Sequence, residues 1–275
     1  MGVCTTSTYH TVMGPKGRQA VEASLLQKRS VITPGSDAGL QKLRAFYDEE
    51  APHIHKKITP YYEQVLSGSM TSLNSIVIKV APLGAVGIEY LCRVLPFYGH
   101  VEELRLWKVG LDPEAIDRLA YYLPFLPNLT RLSLEDNSLN DTAVEHLGRA
   151  CKSLNALKEL WLGCNSITGQ GGVTLASCLK LLPGLEILSL DYNHIEDHGC
   201  KALCSALCAV QRLKQLSLEA NEITGKSVED LSTLARTKLP ERITNLKGNK
   251  LTEQQCRRLV SDFGSERVDV SLQCN

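Results

Sequence analysis

Three things are scarce in this chain of 275 residues: aromatic side chains, net charge and long apolar runs. Thirty basic residues balance thirty acidic ones, so the broad positive field needed for a general grip on nucleic acid is missing. No stretch approaches the roughly eighteen consecutive apolar residues that a spanning helix needs. The start carries no apolar run followed by a small-residue cleavage site, and no secretory signal is expected. Ten cysteines without such a signal read as reduced thiols in an intracellular, cytoplasmic protein. There is no paired C-x-x-C and no His at structural-zinc spacing, so no metal site is expected. At 43% hydrophobic residues, however, the chain has ample material for a packed core.

Leucine is what the sequence has in excess. Of 43 leucines, 38 fall after residue 70. A leucine-rich, aromatic-poor core suggests repetition, and a period of 28 is present. Leu129, Leu132, Leu134, Asn137 and Leu139 recur as Leu157, Leu160, Leu162, Asn165 and Ile167. The set returns as Leu185, Leu188, Leu190, Asn193 and Ile195, then as Leu213, Leu216, Leu218, Asn221 and Ile223. This is the L-x-x-L-x-L-x-x-N-x-L pattern of a leucine-rich repeat; its positions are called slots one to eleven below. Upstream, Val101, Leu104, Leu106, Val109 and Leu111 keep phase, as do Leu73, Ile76, Ile78, Ala81 and Leu83. Downstream, Leu246, Asn249 and Leu251 keep phase, but Glu241 and Thr244 occupy apolar slots and Ile243 comes one place early. Val268, Val270 and Leu272 read as a closing strand. The expectation is about seven rungs and one edge.

Within a rung, slots four and six alternate with outward positions, as on a half-buried strand. The slot-nine Asn falls where the strand turns and is expected to satisfy buried backbone groups; Ala81 and Val109 lack that ability, which reads as a modified N-terminal end. The second half of each rung has helical spacing, for example Val144, Leu147, Cys151 and Leu154. Strand then helix at a fixed period predicts an α/β solenoid, a horseshoe with parallel strands on its concave face and helices on its convex face. The 28-residue rung and the run Gly199-Cys200-Lys201-Ala202-Leu203-Cys204 resemble the ribonuclease-inhibitor type of leucine-rich repeat, over about residues 71–275. The resemblance implies a protein-binding, non-enzymatic molecule.

Residues 1–35 read as a tail and residues 36–70 as a short helical cap before the repeat domain of 71–275. The start Met1-Gly2-Val3-Cys4-Thr5-Thr6 matches the N-myristoylation pattern, with Gly2 as acceptor and Cys4 placed for a palmitoyl chain. Lys16, Arg18, Lys28 and Arg29 against Glu22 add basic charge, so two acyl chains and a basic stretch coincide. Such starts resemble those of peripheral proteins, including flagellar membrane proteins of some protists. The expected place is the cytoplasmic face of a plasma or flagellar membrane.

Outward slots of the strands are the candidate site. Trp107 and Trp161, the two tryptophans, both fall there, and Tyr192 lies at slot eight. Arg105, Arg131, Glu135, Asp191 and Glu219 surround them, with Glu103, Lys108, Asp136 and Glu159 nearby. Two strand steps and a two-residue offset place the tryptophans on the order of 12 Å apart. Trp, Tyr and Arg are common interface anchors, and the acidic rim suits a basic partner segment. Cys200, Cys204 and Cys208 read as core rather than ligands, and His194 and His198 as loop residues. Gly169-Gln170-Gly171-Gly172 lacks the Gly-Lys-Ser/Thr ending of a phosphate loop and reads as a tight turn. The sequons at Asn128 and Asn140 are expected to stay bare. With no Ser-His-Asp or Cys-His set, no enzyme, cofactor or small-molecule substrate is expected. The leading expectation is a scaffold that docks a protein on its concave face. Alternatives are a regulator of a small GTPase, by resemblance to Ran GTPase-activating proteins, and a structural subunit of a cytoskeletal or ciliary assembly.

Overall fold

A computed structural model describes residues 36–69, 73–237 and 243–270. Eight strands form one parallel sheet in sequence order: β1 Ser75–Lys79, β2 Glu103–Trp107, β3 Arg131–Ser133, β4 Glu159–Trp161, β5 Ile187–Ser189, β6 Gln215–Ser217, β7 Ile243–Asn245 and β8 Val268–Asp269. Helices α1 Asp37–Glu50 and α2 Thr59–Ser67 precede the sheet. Between strands run α3 Gly84–Val94, α4 Pro113–Tyr122, α5 Asp141–Cys151, α6 Gly169–Leu179, α7 Glu196–Leu207, α8 Val228–Arg236 and α9 Glu253–Phe263. The chain is an open leucine-rich-repeat solenoid, strand and helix in alternation.

The sequence period is the strand register. Leu104 pairs with Leu132, Leu132 with Leu160, Leu160 with Leu188 and Leu188 with Leu216. All five are at most 1% exposed, and each contributes about 1.5–3 kcal/mol by burial. Rung seven holds register despite its altered sequence: Thr244 takes the Leu216 column, and β8 joins by pairing Val268 with Thr244. Thr244 is fully buried and its hydroxyl finds no partner among the described residues, a defect that costs about 1–3 kcal/mol.

The slot-nine asparagines stitch rungs together. Asn165 Oδ1 accepts from the amides of Asn137 and Leu139 in the previous rung, both at 3.0 Å. Its Nδ2 donates to the carbonyls of Leu134, Leu162 and Gly163. Asn137, Asn193, Asn221 and Asn249 repeat the arrangement, each reaching one rung back. That backward reach explains Val109: Asn137 of the next rung accepts from the amides of Val109 and Gly110. At the first turn, the amides of Ala81 and Leu83 bond directly to the carbonyls of Lys108 and Val109.

Slot twelve caps the helices. Asp112, Asn140 and Thr168 each accept from a first-turn amide, of Ala115, Ala143 and Gln170, and Thr252 closes a capping box with Gln255. The glycines after Thr168 open α6 rather than a free turn. A Cβ on Gly172 would lie 2.9 Å from the Gly199 Cα, so the small residues let α6 and α7 approach closely.

The aromatic side chains concentrate at the N-terminal end. Tyr62, fully buried, donates to the Tyr90 carbonyl at 2.6 Å, and Tyr90 donates to Glu50 at 2.8 Å. Tyr98 donates to the Tyr61 carbonyl at 2.9 Å, and burial pushes its phenol up to about 12. Arg93 lies over the Phe46 ring, 4.5 Å from its centre. These bonds tie α1 and α2 to the first rung. Among the described residues no helix is long and apolar enough to cross a membrane.

Candidate functional site

The outward slots three, five and seven of successive strands form columns along the concave face, and slot eight forms its rim. Slot eight is conformationally special. Val80, Lys108, Asp136, Cys164, Tyr192 and Ala220 all have φ between 49° and 55°, and Gly248 has φ of 66°. Strands β1 to β7 are therefore each followed by a left-handed residue that turns the chain away from the sheet. This is what stands Tyr192 at the rim, 55% exposed, with its hydroxyl donating to Glu219 at 2.8 Å. That bond to a carboxylate raises the phenol above its ordinary value.

The slot-three column is an ion-pair ladder. Arg131 sits between two carboxylates of neighbouring strands, 2.5 Å from Glu159 and 3.1 Å from Glu103. Its second nitrogen donates to Glu159 at 2.7 Å, giving a two-pronged pair. Arg105 adds a bond to Glu103 at 2.5 Å, and Ser75 donates to the same carboxylate at 3.0 Å. The Trp161 indole donates to Glu159 at 3.1 Å. For Glu103, partial burial works against the charged form, but bonds from Arg131, Ser75 and Arg105 outweigh it and hold the carboxyl below its ordinary value. Bonding to Arg131 does the same for Glu159. Arg131 is raised in turn by its bonds to Glu159 and Glu103.

The slot-seven column is different. Glu135 accepts from the Ser133 hydroxyl at 2.9 Å. Asp191 accepts from the Ser189 hydroxyl at 3.2 Å and the Glu219 amide at 2.8 Å. Glu219 accepts from Tyr192 and, at 3.0 Å, from the Asn245 amide group. All these donors are neutral; among the described residues none of the three carboxylates makes an ion pair. Between Glu135 and Asp191 the column carries Gly163, which presents no side chain; this gap is called the Gly163 notch below. A Cβ on Gly163 would lie 3.5 Å from Glu135 Oε1, 3.4 Å from the Asp191 carbonyl and 3.8 Å from Ser189 Oγ.

At the N-terminal end the face turns apolar and basic. Val77 and Trp107 are each 39% exposed and Val80 is 58% exposed, while Lys79 pairs in register with Trp107. Lys108 bridges to Asp136 at 3.0 Å. The two valines at outward slots were readable from the repeat ruler and extend the surface expected around the tryptophans. Of the sequence candidates, Trp107, Trp161, Glu135, Asp191 and Glu219 occupy outward slots of the one sheet and Tyr192 its rim. Arg105 and Arg131 occupy outward slots too, but held by acids of the same sheet. Gly2 and Cys4 lie outside the described residues.

Other sequence features fall into structural places. Cys200 and Cys204 are buried with sulfurs 4.0 Å apart. His194 bonds Glu222 at 2.8 Å on the exposed side of its loop. Among the described residues no group of three or more His, Cys, Asp or Glu is placed to hold a metal ion.

Comparison with known proteins adds a local match and distant structural likenesses. Residues 184–204 match the family model described as Leucine Rich repeat. No curated protein matches the chain. Among solved structures, internalin C2 from Listeria monocytogenes is 20% identical, with 72% of this chain and 80% of that chain covered and a TM-score of 0.47. Leiomodin-1 actin-binding site 2 is 15% identical, with coverages of 56% and 88% and a TM-score of 0.45. Internalin inlF from Listeria monocytogenes is 15% identical, with coverages of 74% and 88% and a TM-score of 0.31. Likeness at this level assigns neither ligand nor activity. The 28-residue register and the matched segment identify the chain as a leucine-rich-repeat protein.

Proposed function

We propose that the chain is a non-enzymatic scaffold that docks a protein partner on its concave face. The observation that carries this reading is a sheet whose outward slots and rim present exposed Trp107, Tyr192, Val77 and Val80 together with half-buried Trp161. Large aromatic side chains on an open surface are the usual anchors of protein interfaces, and a solenoid offers an extended surface for them. The concave-face carboxylates are half-buried and fixed by hydrogen bonds of their own sheet, which suits recognition better than proton transfer.

The second part of the proposal concerns place. Acylation at Gly2 and Cys4, with the basic residues that follow, would hold the scaffold peripherally on the cytoplasmic side of a membrane. The ribonuclease-inhibitor type of the repeat also belongs to this proposal.

Affinity capture with mass spectrometry from native cells tests the docking face. A Trp107→Ala/Trp161→Ala double variant should lose a defined set of partners while keeping its melting temperature within a few degrees. Recovery of the same set by both baits would move the binding site off the concave face. Labelling with an alkyne myristate, abolished by Gly2→Ala, tests the membrane tether separately.

A further inference from the structure

We propose that the slot-seven column receives a short extended partner segment with an apolar side chain at one end and Lys or Arg side chains along the rest. The proposal rests on the docking reading above and names what the face selects. The apolar end lies over Val77, Val80 and Trp107, and the basic residues lie over Glu135, the Gly163 notch, Asp191 and Glu219.

Charge complementarity carries the assignment. The acids of slot three have cations of their own sheet, whereas among the described residues Glu135, Asp191 and Glu219 bond only to neutral donors; Lys247, one rung beyond Glu219, is held by Asp269. A carboxylate with neutral donors keeps its full charge toward an incoming cation. The Gly163 notch adds shape: the space its missing side chain leaves is ringed by Glu135 Oε1, the Asp191 carbonyl and Ser189 Oγ. Ser189 already donates its proton to Asp191, and the carbonyl and carboxylate only accept, so the ring favours a donor-only group such as a guanidinium or ammonium. Trp161 stands in the same rung beside the notch, a face suited to a cation.

The direction follows from repulsion. Lys79 lies beside the apolar group in register with Trp107, so a basic residue placed there meets like charge, while Lys108 is bridged to Asp136. From Trp107 to Glu219 there are four strand steps of about 4.8 Å, roughly 19 Å, which an extended segment at about 3.3 Å per residue spans in about six residues. Alternate side chains of such a segment face the sheet.

The full-length chain can be titrated with a blocked heptapeptide, Leu-Ser-Arg-Ser-Arg-Ser-Arg, and with its Glu-for-Arg counterpart. Trp107 and Trp161, the only tryptophans, report binding by their emission. The Arg peptide should bind saturably and weaken as salt rises; the Glu peptide should not bind. Glu135→Gln/Asp191→Asn/Glu219→Gln should weaken the Arg peptide at least ten-fold. Gly163→Ala, whose Cβ meets its neighbours at ordinary contact distance, should do so with an unchanged melting curve. Equal binding of both peptides, no binding of the Arg peptide, or full affinity in the neutralised variant would overturn the proposal. So would tighter binding in a Lys16→Gln/Arg18→Gln/Lys28→Gln/Arg29→Gln variant, which would give the column to the chain's own N-terminal stretch. Cellular partners lost with the tryptophan variant but kept with the neutralised one would leave the docking face standing and remove the basic segment. Partners kept by both would remove the docking face itself.

Discussion

Two columns of carboxylates cross the same sheet, four slots apart, and they behave oppositely. In the slot-three column, Glu103 and Glu159 hold Arg131 between them, with Arg105 and Ser75 completing the set. In the slot-seven column, Glu135, Asp191 and Glu219 are held in place by hydroxyls and amides, and Lys247, the cation one rung beyond Glu219, is bonded to Asp269 instead. Both columns are built of carboxylates set whole rungs apart. What differs is whether the cation of the column bonds its acids: Arg131 bonds Glu103 and Glu159, whereas Lys247 bonds Asp269. In a solenoid the neighbour that matters is 28 residues off, so acidity at a single position says little until its column is read.

The largest effect should come from the floor that both columns share. Leu160 is buried directly between Glu159 and Trp161, and Leu160→Ala should cost about 2–5 kcal/mol in urea denaturation. A loss near zero would mean that the columns rather than the core hold the rungs together. The next effect separates the columns. Arg131→Met should cost about 1 kcal/mol, since the pair is part-exposed and its removal frees two acids. Its pH dependence has a definite sign. Glu103 and Glu159 are depressed in the folded chain, so their stabilisation is present above their unfolded values and is lost as pH falls through the folded ones. The gap between wild type and Arg131→Met should therefore be full at neutral pH and close below about pH 4. A gap that persists unchanged at acid pH would show that Arg131 acts by packing alone. The smallest stability effect belongs to Glu135→Gln/Asp191→Asn/Glu219→Gln, expected within about 0.5 kcal/mol of wild type by thermal melting. A loss of several kcal/mol there would make slot seven a structural column as well.

Much of this molecule was legible in the sequence because its period is uninterrupted. From Leu73 onward the 28-residue ruler gives the strands and the buried leucines, and it places the slot-nine asparagines. It also places Glu103, Arg131 and Glu159 in one column, although on a single rung each reads simply as a charged rim residue. The direction in which an asparagine reaches was not legible, since either adjoining turn offers amides; the structure shows that Asn137 serves the turn of Val109. Nor was the left-handed conformation at slot eight, because Val80, Lys108 and Tyr192 are not residue types that announce it. The Gly169–Gly172 run illustrates a third limit. A turn and a close helix contact both ask for small residues, and only the neighbouring Gly199 decides between them.

The contrast between the columns can be measured directly by carbodiimide-driven labelling of carboxylates in the intact chain, read residue by residue by mass spectrometry. Glu135, Asp191 and Glu219 should label several times faster than Glu103 and Glu159, and a bound partner should protect the first three. Equal rates in the two columns, or protection confined to Glu103 and Glu159, would contradict the division of the concave face into a structural column and a binding one.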